Sequence, residues 1–258
     1  MKAVEKFKDD LKSGKICLGI SVGFTDPFVS YALADSVDFL WLELEHCVMN
    51  PETVMGHFLA AYSKGVPVFV RVPDSSTSII KPLLDSGAGG IIVPQVRSAE
   101  EVRKVVNDCR YAPLGQRGFG PRIPSNFDRN NGKDYVEWCN RNIMVAVMIE
   151  NTDALESLDD IVRVPGLDSV VIGAMDLSAS LGLLGDLNHP RVTGAIDKII
   201  STARNAGLTV GAGVAPNAGA AMAMINKGVQ WLQVGNDHHY IIRSAEQVIS
   251  EIRACVTA

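Results

Sequence analysis

The sequence predicts an α/β protein, a (β/α)8 TIM barrel forming a single domain over residues 1–258. Three observations carry this. Eight short β-branched runs are spread along the 258 residues, separated by amphipathic helical segments rather than hairpin turns, which implies a parallel sheet with helical crossovers. Several helical segments stop at a glycine where a left-handed C-cap needs one, at Gly65, Gly87, Gly207 and Gly228. No Gly-x-Gly-x-x-Gly follows the first strand, so a closed barrel fits better than a dinucleotide-binding open sheet.

The elements follow in order. The first strand is expected over Ile16–Val22 and the second over Phe39–Glu43, an apolar run that ends in the polar turn Glu43-Leu44-Glu45-His46. Asn50-Pro51 then opens a helix with Val54, Phe58 and Ala61 on one face. The third and fourth strands are expected over Val66–Val72 and Gly90–Val93. Ser98-Ala99-Glu100-Glu101 reads as a capping box ahead of Val102, Val105 and Val106. Tyr111 to Gly132 is rich in Gly, Pro, Asn and Arg, and a structureless stretch of that length predicts a functional loop, a lid or an interface arm. Ile143–Ile149, Ser169–Ile172, Leu208–Val214 and Trp231–Val234 complete the eight strands.

Composition narrows the functional classes. The net charge of −5, with no basic block, gives no electrostatic footprint for nucleic acid or an anionic membrane. The charged amphipathic start and the lack of any long apolar run predict a cytoplasmic chain. Five scattered cysteines without a Cys-x-x-Cys pair predict reduced thiols.

In a barrel the chemistry sits at the carboxyl ends of the strands. Four strands bring titratable groups there: Glu43, Glu45 and His46 from the second, Arg71 from the third, Glu150 from the fifth and Asp176 after the sixth. Glu150 and Asp176 come from adjacent strands, ~5 Å apart, so they either flank a hard divalent cation or cap the helices Thr152–Ile161 and Leu177–Leu183. His46 is either a base on the rim or a polar surface residue. Arg71 either receives a carboxylate or developing oxyanion, or bridges structurally to Glu43 or Glu45. No lysine lies in or at the carboxyl end of a strand, which disfavours imine chemistry. Cys47 as a thiol nucleophile and His238-His239 as ligands are both disfavoured.

With these residues in place, the chain resembles the HpcH/HpaI family of metal-dependent 2-oxo-acid aldolases, in its 4-hydroxy-2-oxoheptanedioate and 2-dehydro-3-deoxyglucarate branch. The similarity runs through WLELEHCVMN (41–50), VRVP (70–73), LLDSGAGGIIVPQVRSAEEV (83–102), RYAPLGQRGFG (110–120), MIEN (148–151) and VIGAMDLSASLG (171–182). The resemblance implies a homo-oligomeric barrel, a trimer or hexamer, that binds Mg²⁺, Mn²⁺ or Co²⁺ and pyruvate and reversibly cleaves a 4-hydroxy-2-oxo-acid to pyruvate and an aldehyde. By the same resemblance His46 is the base, Arg71 the transition-state stabiliser and Asp85 a residue that raises the histidine's basicity. Glu150 and Asp176 are the metal ligands, and Met148, Ala174, Met175 and Asp176 line the substrate.

Departures fall on the walls. Met148 stands where the family usually has glutamine, and Ala174-Met175 where it has Pro-Ala. Glu43 replaces an aspartate, Leu44 a glycine, and Cys47-Val48-Met49 a small-Pro pattern. Asp85 ends the helix before the fourth strand, which puts it at the far end of the barrel from His46, so the implied role calls for a neighbouring subunit. Competing readings are other reactions of the same enolate, namely oxaloacetate decarboxylation or malyl-thioester cleavage, and a binding barrel without turnover. The thioester reaction calls for a basic coenzyme A groove, which the sequence lacks.

Overall fold

The computed structural model describes residues 2–130 and 132–257. It opens with α1 (Lys2–Lys12), then β1 (Cys17–Val22), α2 (Pro27–Ala34), β2 (Phe39–Glu43) and α3 (Pro51–Ser63). There follow β3 (Val68–Arg71), α4 (Thr77–Ser86), β4 (Gly90–Val93), α5 (Ala99–Cys109) and α6 (Gly132–Asn142). Next come β5 (Met144–Ile149), α7 (Thr152–Glu156), α8 (Leu158–Ile161), β6 (Ser169–Ile172) and α9 (Ala174–Ser180). The chain ends with α10 (Pro190–Asn205), β7 (Thr209–Val214), α11 (Ala218–Lys227), β8 (Trp231–Asn236) and α12 (Asp237–Thr257). The strands are parallel and close in sequence order, β8 pairing back to β1, which is the predicted barrel.

The eight strands lie within two residues of the expected bounds. β3 starts at Val68 because Pro67 lacks the N–H a ladder needs; its carbonyl still accepts from Leu40 at 3.0 Å. The helix expected over Thr152–Ile161 is two short helices with a break at Ser157, and the one expected from Leu177 begins at Ala174, directly after Gly173. Asn50 caps α3 by accepting from the Thr53 N–H at 2.8 Å, and Gly87 and Gly228 end α4 and α11 with φ of 119° and 109°.

Side chains alternate along a strand, so each strand feeds two cores. Outward residues such as Leu40, Leu42, Val68 and Val70 join the layer under the helices. Inward residues Phe39, Trp41, Phe69, Met144, Ala146, Met148, Val171 and Trp231 fill the barrel, and Val4, Phe7 and Leu11 of α1 close its floor. Phe7 lies 4.7 Å from Phe69 and 5.5 Å from Phe39, centroid to centroid, in edge-on geometry.

One side of the barrel is covered less. β2, β4, β5 and β6 are buried throughout, whereas Leu18 on β1 is 42% exposed. The helix that follows β8 does not cover it: Ile241, Ile242, Val248, Ile249 and Ile252 of α12 are all exposed. Among the described residues no helix is long and apolar enough to cross a membrane.

Candidate active site

The tip of β2 is organised by one buried carboxylate. Inward-facing positions on β2 run Phe39, Trp41, Glu43, so the alternation that packs two aromatic rings below delivers a carboxylate at the mouth. Glu43 Oε1 accepts the backbone N–H groups of Glu45 at 2.8 Å and His46 at 3.0 Å, closing the turn on itself. Its Oε2 accepts from Arg71 Nε at 2.7 Å and Trp41 Nε1 at 3.3 Å. Glu43 and Arg71 stand opposite each other in the β2–β3 register.

Arg71 is held on further sides. Its Nη1 lies 3.0 Å from Glu45 Oε2 and 3.9 Å from the Met148 sulfur, and its guanidinium sits 5.8 Å from the Trp41 ring centroid. The contact with Glu45 is a charge pair rather than an aligned hydrogen bond, since Glu45 Oε2 has no hydrogen-bond partner. Burial pushes the Glu45 acid up, against the opposing pull of Arg71 and His46. The His46 imidazole is 66% exposed, with Nε2 3.7 Å from Glu45 Oε2. Both structural pairs weighed for Arg71 are therefore present, and they hold it at the mouth.

Glu150, at the end of β5, is 1% exposed. Its Oε1 accepts the Gln95 N–H at 2.6 Å, and Gln95 reaches that geometry with a left-handed φ of 55°, a conformation that costs a non-glycine residue energy. Its Oε2 is buried with no partner. Burial pushes the acid up to about 7, and the charges of Glu45 and Asp176 push the same way. Gly173 makes the room: a β-carbon there would lie 2.5 Å from the Glu150 β-carbon and overlap Oε2. Glu150 does not cap a helix, because Asn151 caps α7 by accepting from the Ala154 N–H at 2.8 Å. Asp176 lies exposed in the first turn of α9, after Ala174 and Met175, and makes no side-chain cap there. Among the described residues no group of three or more His, Cys, Asp or Glu side chains is placed to hold an ion. An orphaned buried carboxylate oxygen, with a second carboxylate close enough to repel it, nonetheless suits a hard cation that takes most of its shell from solvent or substrate.

Glu43, Glu45, His46, Arg71, Met148, Glu150 and Asp176 thus share the carboxyl end of the barrel. Asp85 does not reach it within one chain. It is bound on the flank by the loop after α5, where Arg117 Nη2 donates to its Oδ1 at 2.7 Å and the Arg117 guanidinium covers the Tyr111 ring at 4.5 Å. That loop, expected to be functional, packs through its described residues Arg117, Gly118 and Gly120 against the end of α4 that points away from the rim. Cys47 is not an activated thiol, since burial with Glu43 and Asp237 beside it pushes the group up. His239 is occupied at the β8 end, its Nδ1 accepting the Asn236 N–H at 3.2 Å. Reading turn residues alone misses Glu43 as the organiser, though the Phe39-Trp41-Glu43 alternation marks it. It also misses Gln95, for which the sequence carries no local signal.

The profile of the HpcH/HpaI aldolase/citrate lyase family matches residues 23–244, the span that carries all of these groups. The chain belongs to this family. Two relatives are a hydroxypyruvate/pyruvate aldolase of Pseudomonas aeruginosa and a 4-hydroxy-2-oxo-heptane-1,7-dioate aldolase of Escherichia coli. The first is 33% identical over 253 residues, covering 97% of this chain and 93% of the relative. The second is 33% identical over 253 residues, covering 98% and 96%. A solved HpcH/HpaI aldolase from Desulfitobacterium hafniense superposes with a TM-score of 0.88 at 29% identity, covering 95% of this chain and 96% of that one. As a member of this family, the chain is an enzyme of carbon–carbon bond cleavage.

Proposed function

We propose that the chain is a divalent-metal-dependent aldolase that reversibly cleaves a 4-hydroxy-2-oxo-acid to pyruvate and an aldehyde. The observation that carries this reading is the orphaned Oε2 of buried Glu150, next to Asp176 and facing a rim that bears His46 and Arg71. Glu150 and Asp176 would hold Mg²⁺, Mn²⁺ or Co²⁺. When bound, the ion supplies a Lewis acid that draws charge from the keto oxygen of pyruvate and so acidifies its methyl group.

The chain's own residues do the rest. His46, exposed at the rim, takes the methyl proton to give the enolate. Arg71, anchored through Nε and Nη1, keeps its remaining N–H groups for the oxygen on which charge develops. Glu43 fixes the His46 turn and the Arg71 guanidinium with one carboxylate. Met148 makes an apolar wall beside them, and Ala174 and Met175 bring the backbone of the first α9 turn to the substrate. Oxaloacetate decarboxylation would use the same enolate, but among the described residues no feature of its own supports it, and none supports a coenzyme A thioester.

The working form in this reading is a cytoplasmic homo-oligomer, a trimer or hexamer. The exposed apolar residues of α12 and the uncovered Leu18 support self-association. The role of Asp85 in raising histidine basicity then belongs to a contact between copies, because within one chain Asp85 pairs with Arg117.

The experiment that tests this needs no aldehyde. With metal in D₂O, the protein exchanges the methyl protons of pyruvate with solvent, and His46→Ala slows that exchange by ~10² to 10⁴ while leaving metal binding intact. Tight binding of pyruvate and metal without exchange above that of metal alone overturns the reading.

A further inference from the structure

We infer that the aldehyde taken by this site is uncharged with an alkyl-like tail, and that aldehydes ending in a carboxylate are poor partners. The inference deepens the aldolase reading above and rests on it. The reaction itself is balanced without further reagents. The methyl carbon of pyruvate, having lost a proton, bonds to the aldehyde carbon, the carbonyl π pair moves to its oxygen, and that oxygen takes up a proton to give one 4-hydroxy-2-oxo-acid. What remains open is which tail the rim accepts.

The segments that run from each strand to its following helix contain no lysine. Arg71, at the end of β3, already has Glu43 on Nε and Glu45 beside Nη1. Arg97, in the β4–α5 loop, is turned outward to Asp153, with Nη1 to Oδ2 at 2.7 Å. Arg243, on α12, donates Nη1 to the Pro216 carbonyl at 2.8 Å. Against these stand Glu43, Glu45, Glu150, Asp176 and Asp237 at the same ends of the strands. A divalent ion offsets part of that charge, but the carboxylate of pyruvate returns a negative charge to the site. A second carboxylate, carried in on the aldehyde, would meet repulsion from these five acids, and the N–H groups that Arg71 has left are reserved for the oxygen on which charge develops.

The uncharged part of the rim points the same way. Met148 is 5% exposed and lies against Arg71, while Met175 and Phe24, at the ends of β6 and β1, are 52% and 41% exposed. The exposed Met175 and Phe24 side chains gain by being covered by an alkyl chain and offer nothing to a carboxylate. The contrast with the Escherichia coli relative is direct, since that protein is named for a substrate with a carboxylate at each end.

The test compares butanal with 4-oxobutanoate, two four-carbon aldehydes that differ in the terminal charge, as acceptors for pyruvate on the Mg²⁺-loaded protein. At roughly 20 mM salt, kcat/KM for butanal is expected to be about tenfold higher or more, and raising salt to roughly 0.5 M is expected to narrow the gap by screening the repulsion. Methyl-proton exchange of pyruvate is measured on the same sample. If exchange is absent, the aldolase reading falls and this inference with it. If exchange is intact but 4-oxobutanoate matches butanal at low salt, or butanal does not add, the acceptor assignment alone falls.

Discussion

Arg71 Nε donates to Glu43 Oε2 at 2.7 Å, between two residues that face each other across adjacent strands, and the other oxygen of the same carboxylate holds the backbone N–H of His46. One buried acid therefore sets the relative placement of the two groups proposed to act on the substrate. Glu43→Gln keeps the shape but presents an N–H either to Arg71 or to the turn, both of which are donors. Pyruvate methyl exchange is expected to fall about 10- to 100-fold, the scale of one lost charged hydrogen bond, while Mg²⁺ affinity by calorimetry stays unchanged. Exchange at the parent rate in Glu43→Gln would remove Glu43 from this role.

The Glu150 acid, held at about 7 against an ordinary 4.5, would link binding of the proposed metal to protons. The folded pKa is raised, so its contribution to stability is present below about 4.5 and is lost as pH rises through about 7 in the metal-free protein. A bound cation reverses this, because it needs the carboxylate ionised. Mg²⁺ affinity is expected to weaken by about tenfold per pH unit below that value and to level above it. Titrations in buffers of different ionisation enthalpy should find close to one proton released per ion at pH ~6 and few at pH ~8. The rise in Tm on adding Mg²⁺ should grow over the same interval.

Gly173 is where a single methyl group should separate metal binding from the rest of the rim. In Gly173→Ala the new β-carbon meets Glu150 at its β-carbon and Oε2, so either the carboxylate turns away or β6 shifts. Overpacking of this kind costs about 1–3 kcal/mol, visible in urea melts. Loss of Mg²⁺ binding is expected alongside it, with the distant Asp85–Arg117 pair undisturbed.

The exposed face of α12 makes a prediction about assembly. Ile242→Lys with Ile249→Lys places charge where apolar side chains are open to solvent, so a free monomer would tolerate the change within about 0.5 kcal/mol. Sedimentation should instead show the parent as an oligomer and the double variant as single chains. Exchange activity should fall with the dissociation, because Asp85 in one chain is bound to Arg117 and does not reach its own His46. Folded single chains with full activity would confine Asp85 to a local structural role.

The barrel was legible because its signals are local. β-branched runs, Asn50 before Pro51 and glycines such as Gly87 and Gly228 each act within a few residues of their own position. The rim was legible as a set of strand ends but not as a hierarchy. His46 and Glu45 are conspicuous in the turn, yet the residue that orders them is Glu43, whose direction follows from the inward alternation of β2. Gln95 carries no preference for the left-handed backbone that lets its N–H reach Glu150. The orphaned oxygen of Glu150 depends on how β5 and β6 pack around Gly173, and the Asp85–Arg117 pair joins residues 32 positions apart. Nothing local in the chain encodes contacts of that kind.

The aromatic floor laid by Phe7 over Phe39, Phe69 and Trp231 leaves the barrel open at one end only. Glu150 is buried and His46 is exposed, so in the proposed site pyruvate would lie deeper than the aldehyde, and both would pass through the same mouth. Traffic in that arrangement would be last in, first out. During cleavage the aldehyde would depart while pyruvate waits beneath it, and during synthesis pyruvate would arrive before the aldehyde. Pyruvate is expected to compete with the hydroxy-oxo-acid for free enzyme in product-inhibition kinetics, whereas the aldehyde is not.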